Sequence, residues 1–511
     1  MTSDLIHRRR WLILAVLILS LVTISLDNTI LNVALPSLGR DLNASSSTLQ
    51  WIVDGYMLVF ASLLLTVGAM GDRFGRKRVL MFGLVLFGGG SLLAAIATSG
   101  AELIAFRALM GLGGAAIMPS TLSILTVVFD ADERPKAIAA WAAVAGLGVA
   151  IGPVLGGWLI EVASWHWVFL VNVPIVALAL ALGHRLIPES RDPAPARIDL
   201  GGAALSTAGM TALLWAIIEA PTRGWTDGTI LGAFALAAAI LTAFAVWELR
   251  SPAPMLELAL FRNRRFSAAS AAIGMTFAAL FGSMFMVTQY LQSVHGFSAL
   301  KAGAWGTPIA LGMLLGAPLS TKLTARVGER VIVAAGMTVV GGALSLFATA
   351  DAASGFWLIG GADALLGFGM GLAMAPATDL IMGALPADRA SVGSALNDTV
   401  RELGGALGVA VLGSILTSNY RHGMDAVTGA PAAAHDSIGA ATVAAQHVGG
   451  AAGRALQHTA NGAFLDGMHA AIVVAVAVTI GAALLALALL PSRAKDRDAV
   501  PAGVVVQGAA A

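Results

Sequence analysis

Long apolar runs, broken at nearly regular intervals by short polar segments, make up most of this chain. A helix needs about 20 apolar residues to cross a hydrocarbon core, and runs of that length predict about fourteen spans. They fall near 12–35, 49–70, 79–98, 103–128, 136–160, 166–187, 199–219, 228–249, 266–292, 302–324, 330–350, 355–382, 391–418 and 467–490. The pattern predicts an all-α polytopic membrane protein. His7-Arg8-Arg9-Arg10 ahead of Trp11 resembles the start of a signal peptide. The apolar segment behind it runs to Pro36, too long for a signal, and lacks a small-residue cleavage site, so it is expected to stay as the first span.

Charge at the breaks orients the spans. With the N-terminus inside, about 23 of the 30 Lys and Arg fall in inside loops and about five in outside loops. The inside group includes Arg73, Arg76, Lys77 and Arg78, then Arg262, Arg264 and Arg265, then Arg493, Lys495 and Arg497. An even span count then places both termini in the cytoplasm. Composition agrees: 58% of residues are hydrophobic and only 12% charged, against about 25% charged in a soluble domain. A formal net charge of +1 argues against nucleic acid as a partner, and zero cysteines remove disulfides and thiolate chemistry.

The two ends of the chain echo each other. RALMGLG from Arg107 is matched by DALLGFG from Asp363, and GDRFGRKRVLMFG (71–83) by TARVGERVIVAAG (324–336). Eight spans separate the copies, which implies two six-span halves with two spans inserted between them. Parallel repeats of this kind place a substrate site at mid-depth between the halves. The expected division is 1–187 for the first half, 188–250 for a linker and the inserted spans, and 251–418 for five spans of the second half. An outside loop over 419–466, with a short helical hairpin, and a last span and tail over 467–511 complete it.

GVAIGPVLGG (148–157) concentrates Gly148, Gly152, Pro153, Gly156 and Gly157 inside one span. Glycines there let another helix approach to backbone contact, and proline frees a carbonyl. That combination suits a transporter that rocks two halves against each other. With LDNTILNVALP (26–36), GAMGDRFGRKR (68–78), RALMGLGGA from Arg107 and WHWVFLVNVP (165–174), the chain resembles the fourteen-span drug:proton antiporters of the major facilitator superfamily over nearly its whole length. The resemblance implies a major facilitator fold and export in exchange for protons. Two features depart from the family pattern: His166 stands where Arg is usual, and Asp398 and Glu402 stand where amides are usual.

Ionisable groups at membrane depth cost about 2.5–3.5 kcal/mol on insertion scales, which makes each a functional candidate. Asp27, Asp54 and Arg107 lie roughly 6–12 Å inside the outer ends of their spans and can share a layer. An Asp–Arg pair that breaks and re-forms with protonation is a workable proton switch. Asp398, Arg401 and Glu402, at spacings of three and four, share one helix face, and Asp363 stands at the repeat position of Arg107. These four are candidates for coupling or substrate binding. The resemblance implies that the loop Gly71, Asp72, Arg73, Gly75 and Arg76 latches the cytoplasmic gate, with Asp72 accepting from donors across it. Phe281, Phe285, Gln289 and Trp305, with Phe277 and Met284, are candidates to line an adaptable pocket. Five acids against two arginines in the spans favour cationic substrates.

His422, His435, His447 and His458 lack the spacing of a metal site, and no nucleotide loop, HExxH or cysteine pair is present. No cofactor, metal or enzymatic activity is expected. The expected partners are a lipophilic, cationic small molecule, protons and the lipid bilayer of the cytoplasmic membrane, with the protein acting as a monomer. A dedicated exporter of one metabolite or self-made antibiotic is the alternative.

Overall fold

The computed structural model describes residues 3–130, 132–192, 198–383, 390–427 and 429–490. The basic cluster Arg493, Lys495 and Arg497 lies outside them. Every regular element among the described residues is helical. We number the long helices α1 (Ser3–Asp41), α2 (Ser46–Phe74), α3 (Arg76–Ala94), α4 (Gly100–Val128), α5 (Arg134–Val162), α6 (Asn172–Leu186), α7 (Leu200–Arg223) and α8 (Gly228–Arg250). The rest are α9 (Arg264–Gln289), α10 (Pro308–Val327), α11 (Glu329–Phe347), α12 (Phe356–Gly383), α13 (Ala390–Met424) and α14 (Gly450–Leu489). Short helices His166–Leu170 and Ala299–Trp305 precede α6 and α10. Thirteen helical segments among the described residues are long and apolar enough to cross a membrane. α5 is 29 residues long, and the apolar run described in it is Ala150–Val162.

Local chemistry sets the helix ends. Ser45 accepts from the Thr48 amide ahead of α2, Ser99 from Glu102 ahead of α4, and Asp227 from Thr229 ahead of α8. Each satisfies an amide that the helix itself leaves free. Two turns require glycine: Gly75, at φ 118° between α2 and α3, and Gly328, at φ 88° between α10 and α11. They occupy matching places in the two echoed loops, so the sequence repeat is also a repeat of backbone geometry. Short loops make neighbouring helices antiparallel. One end of the bundle, the basic face, therefore carries the loops with Arg73, Arg76, Lys77 and Arg78; the opposite end is called here the far face.

Within α1–α6, α1 packs on α5 and α6, and α2 and α3 pack on α4. Within α9–α14, α12 packs on α10 and α11, and α13 on α9 and α14. α2 lies against α13 across the seam, and α7 touches both. At the basic face Arg10 donates to both oxygens of Glu133 and holds that carboxyl below its ordinary pKa. The tie is complete above the ordinary glutamate range and is lost as pH falls through the lowered value.

Two boundaries differ from the expected ones. α1 continues through Pro36 to Asp41. α14 starts at Gly450, so the segment expected as loop to 466 is largely helical, with Ala432–Asp436 and Ile438–Val448 before it. Alanine is the best helix former, but polar residues between the alanines of 450–466 keep that stretch out of an apolar-run search. Arg421 pairs with Asp436, and the Ser46 hydroxyl donates to the Asp436 carbonyl at 2.6 Å, which ties these short helices to α13 and α2.

Candidate functional site

Asp27 on α1 and Arg107 on α4 form a direct ion pair, with side chains 0% and 1% exposed. Arg107 Nε also donates to the Ile52 carbonyl at 3.1 Å, and its guanidinium lies 4.3 Å from the centre of the Tyr56 ring. Two helices thus hold the cation of a third: α1 through its carboxylate, and α2 through its carbonyl and its aromatic face. Asp27 Oδ1 accepts no hydrogen bond from the described residues. The guanidinium therefore engages one carboxylate oxygen and leaves the other free to bind a proton.

Small residues bring α1 and α5 together at the same level. The Thr29 hydroxyl donates to the Gly148 carbonyl at 3.0 Å. A Cβ on Gly148 would come within 2.5 Å of the Ser25 Cβ, one on Gly152 would fall on the Thr29 hydroxyl, and one on Gly156 would reach Ile30 at 2.6 Å. The glycine run is the surface on which the helix carrying Asp27 sits.

The pair and the second charged cluster, read as separate from sequence, meet across the seam. Asn28 Nδ2, next to Asp27, donates to Glu402 Oε1 on α13 at 3.4 Å. Glu402 Oε2 is buried without a hydrogen-bond partner. Arg401 Nη1 lies 3.5 Å from Asp398 Oδ1 and its guanidinium 5.3 Å from the Phe277 ring centre. Arg107–Asp27, Asn28–Glu402 and Arg401–Asp398 make one chain of polar groups from α4 to α13. Asp54 does not join it. It is fully buried on α2, and neither carboxylate oxygen is hydrogen-bonded.

The other candidates spread out. Phe281 lies 6.0 Å from Phe277, near Arg401; Phe285 is buried; Gln289 donates back to the Phe285 carbonyl at 2.9 Å. Trp305 packs edge-on against Phe297 and Phe356 at the far face. Phe281, Phe285 and Gln289 lie four residues apart along α9, and Trp305 lies in the short helix before α10. A small cavity at the seam is lined by the candidate Met284 with Val33, Pro153, Ser283, Thr288, Gly303 and Asp363, among others. Sequence reasoning missed Asn28, Ser283 and Thr288, because a lone amide or hydroxyl in an apolar run gives no pattern until a neighbour is known.

At the far face the two groups of helices seal together. A Cβ on Gly157 would come within 2.5 Å of the Ala299 carbonyl and Leu300 Cα, and one on Gly303 would fall on the Pro153 carbonyl. Glu161 accepts from the Leu300 amide at 3.0 Å. Gln292, held in a π-helical turn (Tyr290–Val294), donates to the Val33 carbonyl at 2.8 Å. π-turns often mark functional positions.

On the basic face, Asp72 accepts from its own loop: Arg76 Nε and Nη2 both lie 2.8 Å away. The Gly71 carbonyl accepts from Gly75, and Arg73 lies over the Phe74 ring. The linker read as a bare connector is docked on this loop. Asp192 donates its amide to the Asp72 carbonyl, Arg76 donates its amide to the Ser190 carbonyl, and Glu189 accepts from the Lys77 amide. His166, the departure from the family pattern, stacks on Trp165 at 3.8 Å.

Comparison with known proteins agrees with this architecture. Residues 17–409 match the Major Facilitator Superfamily, and the chain belongs to that family. It is 36% identical to the multidrug efflux pump LfrA of Mycolicibacterium smegmatis, over 93% of this chain and 95% of that one. It is 35% identical to the tetracenomycin C resistance and export protein of Streptomyces glaucescens, over 80% and 76%. It is also 35% identical to the methyl viologen resistance protein SmvA of Salmonella typhimurium, over 81% and 83%. In fold it is similar to a bacterial homologue of the human lysosomal transporter Spinster, solved inward-facing and unoccupied. The TM-score is 0.65 at 17% identity, covering 94% of this chain and 98% of that one.

Proposed function

We propose that this protein is a fourteen-span, proton-coupled antiporter that exports lipophilic, cationic small molecules across the cytoplasmic membrane by alternating access. The single observation carrying the reading is the buried Asp27–Arg107 pair, joined through Asn28 to Glu402 of the opposite helix group. Its relatives' names, multidrug efflux pump and resistance and export protein, support the direction and the substrate class. Helices α1–α6 and α9–α14 act as the two rocking halves, with α7 and α8 inserted between them. The basic face is cytoplasmic by the positive-inside rule, and the far face is outer.

Protonation of Asp27 weakens its hold on Arg107, and loss of that tie shifts the balance between inward and outward states. One net charge moving inward across 100 mV supplies about 2.3 kcal/mol, which sustains a roughly fifty-fold substrate gradient where the exchange is electrogenic. In the inward-closed state Asp72 would give up Arg76 to latch the cytoplasmic gate across the seam. The surplus of carboxylates along the chain from Asp27 to Asp398 attracts cations.

The test is purified protein in liposomes, with an imposed pH gradient and ethidium as cargo. Uphill movement of ethidium that stops when an uncoupler is added is the expected result. Uphill movement with neither acid gradient nor voltage overturns the reading. Glu402→Gln and Asp398→Asn, tested singly, are each expected to lower transport of the dication methyl viologen several-fold more than that of ethidium. Equal losses would make the α13 cluster structural.

A further inference from the structure

The seam cavity lies directly beneath the outer seal. Pro153 of α5 and Gly303 of the Ala299–Trp305 helix, whose backbones touch to close the far face, also line it, as do Val33 of α1 and Ser283 and Thr288 of α9. One titratable group enters it. Asp363 of α12 is 8% exposed, and no hydrogen bond or ion pair joins it to any described residue. It stands where the sequence repeat puts Arg107 in the other helix group, so α12 presents an acid where α4 presents a base.

The surroundings narrow what this acid can bind. A dehydrated metal ion needs six or more oxygen ligands, whereas Val33, Pro153, Val287, Leu291 and Ile309 make most of the wall apolar. The space is far smaller than the several hundred Å³ of a drug-sized site. Water and a proton fit. No other charged residue lines the cavity. On the packed elements, the charged residues of α9, α10 and α11 are Arg264, Arg265, Lys322, Arg326, Glu329 and Arg330, all toward the basic face. Asp27 of α1 is committed to Arg107, and Asp398, Arg401 and Glu402 of α13 to one another and to Asn28 and Phe277. At the outer end, Lys301 sits on the Phe297 ring and Glu161 holds the Leu300 amide. An unpaired anion in such a place costs several kcal/mol, and a proton removes that cost.

We propose that Asp363 is a second proton-binding site, filled from the outer side, whose protonation holds the outer gate shut. The proposal rests on the proton-coupled reading above and adds a gate acid to its central pair. When Pro153 and Gly303 separate, water reaches the carboxyl and it ionises; when it takes a proton from outside, the two backbones close over it. External acid therefore drives the return from outward to inward state, which is the direction an antiporter needs. Linkage limits the effect to about tenfold in the closed-to-open ratio per pH unit for one proton.

The natural chain has no cysteine, so a spin-label pair is cleanly placed at Val162→Cys and Trp357→Cys. These positions are exposed at the outer ends of α5 and α12, on opposite sides of the seam. Electron–electron distances in lipid nanodiscs are recorded from about pH 8 to about pH 5, with no substrate and no gradient. The short-distance population is expected to grow as pH falls, by up to about tenfold per unit. Asp363→Asn is expected to stay short throughout. The same pH response in Asp363→Asn as in its parent overturns the proposal. So does a flat response in the labelled protein with Asp363 intact, a measurement that does not depend on the Asp363 variant folding. Because the readout is gate distance and not transport, failure of the central coupling reading would appear separately, in the liposome assay.

Discussion

Asp27→Asn is expected to remove uphill efflux altogether and to leave only the leak of empty liposomes. Asparagine keeps the shape and an acceptor oxygen for Arg107, so the contact between α1 and α4 persists. What disappears is the ionisable group at the head of the polar chain, and with it the coupling that drives cargo uphill. The change also leaves the Arg107 charge without an anion. Breaking a buried pair by removing one partner costs about 3–5 kcal/mol, softened here by the Ile52 carbonyl and the Tyr56 ring. The variant should therefore unfold at a lower temperature, and transport must be scored per folded molecule. Arg107→Lys is expected to be nearly as defective, because an ammonium cannot reach the carboxylate, the carbonyl and the ring together. Normal efflux in folded Asp27→Asn would remove this residue from the mechanism.

Gly157→Val should trap the pump with its outer side open. Its Cβ would meet backbone, the Ala299 carbonyl and Leu300 Cα, at 2.5 Å, and backbone cannot turn aside as a side chain can. Overpacking of this kind costs about 1–3 kcal/mol, and all of it falls on the closed state. The closed population should drop by roughly fivefold to more than a hundredfold, with efflux falling in step. Gly303→Val presses from the other side of the same seal and should behave alike. Gly89→Ala, where added bulk meets open space, is the matching control. Transport rates with the spin-label distances decide it: normal efflux with a closed outer side in Gly157→Val would show that this contact is not the gate.

The sequence carries the bundle more plainly than the site. Apolar runs, caps such as Ser45 and Ser99, and the matched glycine turns at 75 and 328 are local signals that need no tertiary context. The Asp27–Arg107 pair is also legible, since a charge in an apolar run demands a counter-charge and few candidates exist. Asn28 is different. Its meaning comes from Glu402, 374 positions away, and no periodicity links the two. Phe281, Phe285 and Gln289 share one face of α9, whereas the π-turn at Tyr290–Val294 and the break before Pro308 separate Trp305 from them. Helix phase projects poorly across such irregularities. Asp54 is the reverse case, a charge singled out from sequence that accepts no hydrogen bond among the described residues.

The inserted hairpin is fastened at both ends, to opposite sides of the molecule. Near the basic face, Ser190 and Asp192 tie the linker ahead of α7 to the α2–α3 loop. Toward the far face, the Ile217 carbonyl accepts from Ser414 and the Trp225 indole donates to Ser418, both on α13. Swinging one half relative to the other must then strain α7 like a leaf spring, while α8, almost wholly greasy and uncovered, leans on the surrounding acyl chains. Pump speed should accordingly respond to bilayer thickness, and liposomes built from shorter or longer lipids would reveal it.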